Sequence, residues 1–146
     1  MSSSISVKMR LLENYVFEID FGEFGNIISD EPPPIGDGEG PSPSAMLAAS
    51  VANCMSASLL FALRKQKEDP GELHATVTGT TERVDNYLRI TSLAVTLKLG
   101  KAASEYQSLD KVLPVFENYC VVTQSVKRGI PVTVDIQDAD GEKVVV

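Results

Sequence analysis

Two side chains in this sequence are suited to covalent chemistry: the thiols of Cys54 and Cys120. The chain opens Met1-Ser2-Ser3-Ser4-Ile5, with no basic segment leading into an apolar stretch, so no export signal is expected. The expected compartment is the reducing cytoplasm, where thiols are free or redox-active rather than structural staples. Neither cysteine has a Cys or His neighbour at zinc-site spacing. The one histidine, His74, leaves little from which to build a metal centre or a Ser-His-Asp site. Each thiol has two readings. Cys54, in Ala-Asn-Cys-Met-Ser, is either a small packing hydrophobe or a reactive group kept in polar company. Cys120 is either a packing residue or the first residue of a helix, where backbone N–H groups and the helix dipole favour thiolate. A free thiol titrates near ~8.5, and a helix N-terminus lowers that to roughly 3.5–7.5. The two stand 66 positions apart, and spacing alone does not say whether they meet.

Several elements must position these thiols. Ser42 or Ser44 opens a long helix, with Pro43 tolerated in its first turn, and the pattern runs to about Gln66. Twenty-odd helical residues span about 30–36 Å. No charged residue falls between Ala45 and Leu63, and Ser50, Asn53, Ser56 and Ser58 are scattered around the wheel. Such a helix is apolar nearly all round, which means burial on every side. A membrane span is the competing reading; the richness in Ala and Ser and the lone mid-chain position speak against it. A chain of this size cannot wrap a central helix completely, so a second copy is expected to supply part of the wrapping. Residues 104–118 read as a second helix, with Leu109, Val112, Leu113 and Phe116 on one stripe and a kink at Pro114. A third helix starts near Cys120 and ends at Gly129.

Strands flank these helices. Val7, Met9 and Leu11 alternate with polar residues, and Tyr15, Phe17, Ile19 and Phe21 do so after a turn at Glu13-Asn14. That pattern predicts a half-buried hairpin over residues 5–21. Gly22 and Gly25 bracket a turn before Asn26-Ile27-Ile28. Residues 30–43 hold five prolines and three glycines, which excludes helix and strand. A loop of that length is usually functional or disordered. Residues 73–83 and 87–99 form a second expected hairpin around Asp85-Asn86. A strand over Ile130–Ile136, with Pro131 at its start or on an edge, a turn at Asp140-Gly141 and a last strand at Val144–Val146 complete the pattern. Antiparallel strands separated by helices predict an α+β fold.

The chain has 146 residues, which favours one domain over residues 1–146. Its 43% hydrophobic and 23% charged residues are those of a globular protein with a real core. Thirteen basic against twenty acidic residues give a net charge of −7. No nucleic acid and no anionic membrane is expected as a partner of such a chain.

Two stretches carry a family resemblance. Gly40-Pro41-Ser42-Pro43, Met46-Leu47-Ala48-Ala49 and Asn53-Cys54 resemble the first signature of the OsmC/Ohr family, the osmotically inducible and organic hydroperoxide resistance proteins. Glu117-Asn118-Tyr119-Cys120-Val121-Val122, followed by a short helix and the 130–136 segment, resembles the second. The resemblance implies an intertwined homodimer, with antiparallel sheets from both chains wrapped around two long central helices. It also implies a thiol peroxidase acting on hydrophobic hydroperoxides without metal or organic cofactor. Cys54 would be the peroxidatic cysteine and Cys120 the resolving one. A thiolate attacking the O–O bond becomes a sulfenic acid, a second thiol condenses with it to a disulfide, and a dithiol reductant restores both.

The pattern departs from the family in two places. Members carry a glutamate about ten positions before the first cysteine, where this chain has Ser44 and Ala45. They also present an arginine from the N-terminal region of the partner chain. Here the only arginine before the long helix is Arg10, which alternates with apolar residues and is read as a solvated strand residue. Arg10 and Ser44 are therefore the weaker candidates beside Cys54 and Cys120. Two alternatives stand beside the peroxidase: a non-catalytic dimer binding a hydrophobic small molecule, and a redox sensor. His74 reads as a surface or half-buried residue, and Glu82-Arg83 as a solvated pair. Asp30, Glu31, Asp37 and Glu39 read as a plain acidic loop, because they lack an EF-hand spacing.

Overall fold

A computed structural model describes residues 2–144. The N-terminal sheet is antiparallel in the order β1 (Lys8–Glu13), β2 (Val16–Asp20), β3 (Asn26–Ser29). The first turn lies at Asn14-Tyr15, one residue later than the sequence pattern predicts, with Asn14 left-handed at φ 47°. Asparagine tolerates that region better than most residues. A register shift between Leu11 and Glu13 accompanies it. The result is not the expected apolar face: Val16 and Ile19 are buried, while Tyr15 and Phe21 are exposed and β1 is exposed on both faces.

The long helix follows the sequence closely. Helix α1 runs Pro43–Lys65, and its N-cap Ser42 accepts the Ala45 N–H at 3.1 Å. That cap and Pro43 in the first turn fix the start, because both satisfy or remove amides that have no helical partner. Arg64 and Lys65 in the last turn suit the negative end of the dipole. Burial on every side is not met within one chain. Val51, Ala52, Ser58, Leu59, Ala62 and Leu63 are buried, whereas Phe61 is 53% exposed. About one third of the helix's apolar window is buried. The remaining apolar surface has no cover among the described residues.

A second sheet pairs β4 (His74–Val84) with β5 (Tyr87–Lys98). Asp85 and Asn86, at φ 52° and 72°, make the tight turn that strand twist favours. This hairpin packs against α1. Leu59, Ala62 and Leu63 meet Tyr106 and Val112 to form the core, with Leu73, Leu97, Leu99, Leu109 and Phe116 against them. Fully burying a leucine such as Leu63 contributes about 1.5–3 kcal/mol.

Residues 104–118 are not one helix. They break into a 3-10 turn (Ala103–Glu105), helix α2 (Leu109–Val112) and a second 3-10 turn (Phe116–Tyr119). Pro114 removes one amide and clashes with the preceding turn, so the helix stops rather than kinks. Tertiary bonds fix the pieces instead. The Tyr106 hydroxyl donates to the Pro70 carbonyl at 2.7 Å, and the Glu68 carboxylate accepts the Gln107 and Ser108 amides at 2.6 and 3.0 Å. The Ser108 hydroxyl, together with those amides, holds the Glu68 carboxyl below its ordinary range.

Helix α3 (Val121–Arg128) starts after Cys120 and ends at Gly129, as the pattern predicts. The expected strand over Ile130–Ile136 joins no ladder. The described residues of this tail make only an isolated bridge, Gln137 to Lys143. Pro131 lacks an N–H, and Val132 and Val134 are 83% and 79% exposed, so nothing among the described residues pairs with them. The turn at Asp140-Gly141 forms, with the Gly141 amide donating to Asp138 at 3.0 Å. Val145 and Val146 of the expected last strand lie outside the described residues. The architecture is α+β with antiparallel sheets, as expected.

Candidate functional site

Cys54 lies midway along α1, on a stripe with Leu47, Val51 and Ser58. Those spacings place all four on one helix face. Cys120 is the N-cap residue of α3. The backbone around it is fixed by three bonds: its own amide donates to Glu117 at 3.0 Å, its carbonyl accepts from Gln124 at 3.0 Å, and the Gln124 side chain returns to the Glu117 carbonyl at 3.2 Å. The Phe116–Tyr119 turn and α3 both pack on α1. Phe61 of α1 meets Tyr119 edge-on with ring centroids 5.0 Å apart, and the Lys65 ammonium lies 5.7 Å from the same ring. These contacts carry Cys120 onto the face that holds Cys54.

The two thiols are neighbours across the packing of α1 and α3. Cys54 is half-buried and Cys120 has no exposed surface. Thr123 from α3 is hydrogen-bonded to the Cys120 sulfur, and Cys54 and Ser58 from α1 lie near enough to lower its titration. The Thr123 contact is 2.8 Å, with the thiol donating to the hydroxyl oxygen. Burial pushes the Cys120 thiol up. The bonds from Cys54, from the Thr123 side chain and backbone and from Ser58 together outweigh it, so Cys120 titrates below the ordinary thiol value of 9.0. Both thiols are free, not joined as a disulfide.

A half-open cavity of about 490 Å³ adjoins this cluster. Leu47, Val51 and Met55 of α1 and the Ile90–Val95 stretch of β5 supply most of its wall. Thr123 opens onto it, and Glu117 and Lys127, ion-paired at 3.5 Å, stand at its polar side. Thr123 is thus shared between the cavity and the buried sulfur, while neither cysteine itself lines the cavity. Among the described residues no group of His, Cys, Asp and Glu could hold a metal ion.

The weaker candidates lie elsewhere in the chain. The Arg10 guanidinium pairs with Glu18 on the exposed N-terminal sheet at 3.2 Å. Ser44 is in the first turn of α1, ten residues before Cys54, which is about 15 Å along a helix axis. Neither is among the groups that act on Cys120. His74 is exposed beside Glu72. Glu82 and Arg83 are exposed but do not pair with each other: Arg83 donates to the Asn86 carbonyl at 3.0 Å, and Glu82 accepts from the Thr91 hydroxyl.

The acidic loop is not plain. Asp30 is 2% exposed, and its carboxylate accepts the amides of Glu31, Asp37 and Glu39 at 2.7, 3.1 and 3.0 Å. The Glu39 amide foremost, against the cost of burial and aided by Glu31, Asp37 and Gly38, holds the Asp30 carboxyl below its ordinary value. Ser58 and Thr123 escape a reading centred on motifs. Their signal was helical spacing: Ser58 follows Cys54 by four residues, and Thr123 follows Cys120 by three.

The comparisons with known proteins agree with this fold. Residues 36–135 match the family model described as OsmC-like protein. No curated protein sequence matches the chain. Solved structures share the fold at low identity. A putative osmotic stress induced and detoxification response protein from Psychrobacter arcticus is 22% identical, with a TM-score of 0.69 over 86% of this chain and 90% of that one. An OsmC-like protein from Mycoplasma pneumoniae is 18% identical, with a TM-score of 0.70 over 87% and 89%. The organic hydroperoxide resistance protein OhrB of Bacillus subtilis is 16% identical, with a TM-score of 0.61 over 86% and 91%. The matched span takes in both cysteine motifs and most of the chain, and the chain belongs to the OsmC family.

Proposed function

We propose that this protein is a thiol-dependent peroxidase that reduces organic hydroperoxides, with Cys54 attacking and Cys120 resolving. The observation that carries this reading is the placing of Cys54 near a buried Cys120 whose bonded partner, Thr123, lines a cavity with apolar residues of α1 and β5. Cys54 is the sulfur with access to solvent, whereas Cys120 is sealed and can meet only a group already inside the protein. Attack by the Cys54 sulfur on the O–O bond gives a sulfenic acid and an alcohol. Condensation with the Cys120 thiol releases water, forms a disulfide and prevents further oxidation. An external dithiol then reduces the disulfide by exchange. The apolar wall favours hydroperoxides with hydrocarbon bodies over hydrogen peroxide. The named activity of the Bacillus subtilis relative, hydroperoxide resistance, is consistent with this reading.

The active form in this proposal is a cytoplasmic homodimer. A second copy would cover the bare apolar surface of α1 and supply a neighbour for the unpaired 130–136 segment. Sedimentation should give twice the chain mass. A second reading has a specific observation behind it: Arg10 is engaged by Glu18, and Ser44 brings no carboxylate. Without that charge support the same scaffold would be a non-catalytic binder of a hydrophobic small molecule, or a sensor that oxidises once.

The decisive experiment adds one equivalent of cumene hydroperoxide to reduced protein, counts thiols with time and locates the products by mass spectrometry. Loss of both thiols within seconds, with a Cys54–Cys120 disulfide, is the expected result. Survival of both thiols for many minutes would overturn the assignment. Recycling by a dithiol then separates an enzyme from a sensor.

A further inference from the structure

The helical hydroxyls near the thiols are not used alike. Ser50 and Ser56 of α1 turn back on their own helix and donate to the carbonyls of Leu47 and Ala52, each at 2.8 Å. Thr123 of α3 does not. Its oxygen accepts from the Cys120 thiol at 2.8 Å, and among the described residues no carbonyl takes its own hydrogen. Cys120 is the N-cap of α3 and has no exposed surface; Thr123 stands three residues on and is 5% exposed. Thr123 also lines the half-open cavity walled by α1 and β5, which neither cysteine lines. One hydroxyl thus lies between a sulfur that solvent does not touch and a space that is open to solvent.

We propose that the Thr123 hydroxyl is the proton exit of Cys120, passing the thiol proton to the cavity as that sulfur attacks its partner. The inference rests on the reading of Cys120 as the resolving cysteine. A resolving thiol loses a proton when it attacks, and burial denies Cys120 direct contact with water. When Cys120 attacks the Cys54 sulfenic acid, the S–S bond forms and the S–O bond breaks. The Cys120 sulfur is oxidised and the sulfenic sulfur is reduced, both to the disulfide level. The Cys120 proton passes to the Thr123 oxygen while the Thr123 proton leaves for water in the cavity. The departing hydroxide takes up a proton and becomes water. A hydroxyl can make this exchange because it accepts through a lone pair and donates through its O–H. Its neighbours are committed elsewhere. The Gln124 side chain donates to the Glu117 carbonyl at 3.2 Å, and Lys127 pairs with the Glu117 carboxylate at 3.5 Å. Ser58 is as buried as Thr123 but does not line the cavity, so it offers no way out.

The test needs no peroxide. The full-length reduced protein is mixed with one equivalent of the aryl disulfide dithiobisnitrobenzoate, and release of the coloured aryl thiolate is followed by stopped flow. Attack by Cys54 releases the first thiolate and leaves a mixed disulfide. Attack by Cys120 on that disulfide releases the second, closes the Cys54–Cys120 bond and sets free one proton. Mass spectrometry locates each product, and Cys120→Ala should stop after the first release. Thr123→Val should leave the first step unchanged and slow the second about a hundredfold, the low end of what a positioned proton-transfer group contributes. Thr123→Ser, which keeps the hydroxyl, should restore the second step. In the wild type that step should be slower in heavy water than in light water, because a proton moves during the attack. The proposal is overturned by a second step at the wild-type rate in Thr123→Val, by Thr123→Ser as slow as Thr123→Val, or by a first step slowed as much as the second. Equal rates in heavy and light water, or a wild-type protein that never takes the second step, would overturn it too. A protein that passes every arm but consumes no cumene hydroperoxide would sink the peroxidase reading and leave the proton route standing.

Discussion

Asp30 and Cys120 are both sealed from water, at 2% and 0% exposure, and both titrate below their ordinary values. Their donors differ in kind. Asp30 is held by backbone amides that all lie within nine residues of it. Cys120 is influenced mainly by side chains, two of them from a helix more than sixty residues away in sequence, with the Thr123 amide as the one backbone group. A backbone amide can only donate, so the Asp30 cradle is built for one charge state. A hydroxyl or thiol can donate or accept, so the surroundings of Cys120 accommodate both thiol and thiolate. The first site stabilises an anion as part of the fold. The second tolerates either protonation state of the sulfur.

The sharpest break of this contrast is Cys54→Ser. It should bring hydroperoxide consumption down to the uncatalysed rate while thermal unfolding changes little; turnover near the wild-type rate would end the catalytic reading of the thiol site. At the loop, Gly36→Ala should act on stability alone. An added Cβ there would stand 2.2 Å from the Glu31 carbonyl oxygen and 2.4 Å from Asp30 Oδ1, a clash with backbone that cannot swing away. A loss of about 1–3 kcal/mol in urea unfolding, with an unchanged Cys54 alkylation profile, is expected.

Asp30→Asn tests the charge itself. The folded Asp30 carboxyl titrates below the unfolded value of 3.8, so its contribution is fully present above that value and is lost as pH falls through the folded one. The gap in stability between wild type and Asp30→Asn should therefore be flat near neutrality and shrink in acid, as measured by urea midpoints across pH. A gap that widens in acid would mean the cradle prefers the neutral acid. The smallest effect belongs to Arg10→Gln. The exposed pair with Glu18 should change stability by no more than about 0.5 kcal/mol, within reach of a careful thermal scan.

Local patterns in the sequence carried much of the fold. The long helix begins at a serine cap followed by proline and ends at its basic turn. The Asp85-Asn86 hairpin and Gly129 stop follow from residues that accept left-handed backbone or favour turns. Two of the misreadings share a cause: each concerns a segment whose partner is distant. Residues 104–118 kept a helical stripe but broke at Pro114, and tertiary bonds from Glu68 and Pro70 chose the pieces. Ile130–Ile136 kept a strand pattern but has no neighbour within the chain to complete a ladder.

By itself the sequence determined the two thiols, their helical settings and the α+β order, because capping, turn chemistry and period depend on near neighbours. The tertiary structure decided that Cys54 and Cys120 are neighbours, that Thr123 and Ser58 rather than Ser44 lie near the buried sulfur, and that Asp30 is an internal anion. A hydrogen bond forms only where two groups come within about 3 Å, or somewhat more for sulfur. Only the packing of α1 against α3 brings groups 66 positions apart near one another.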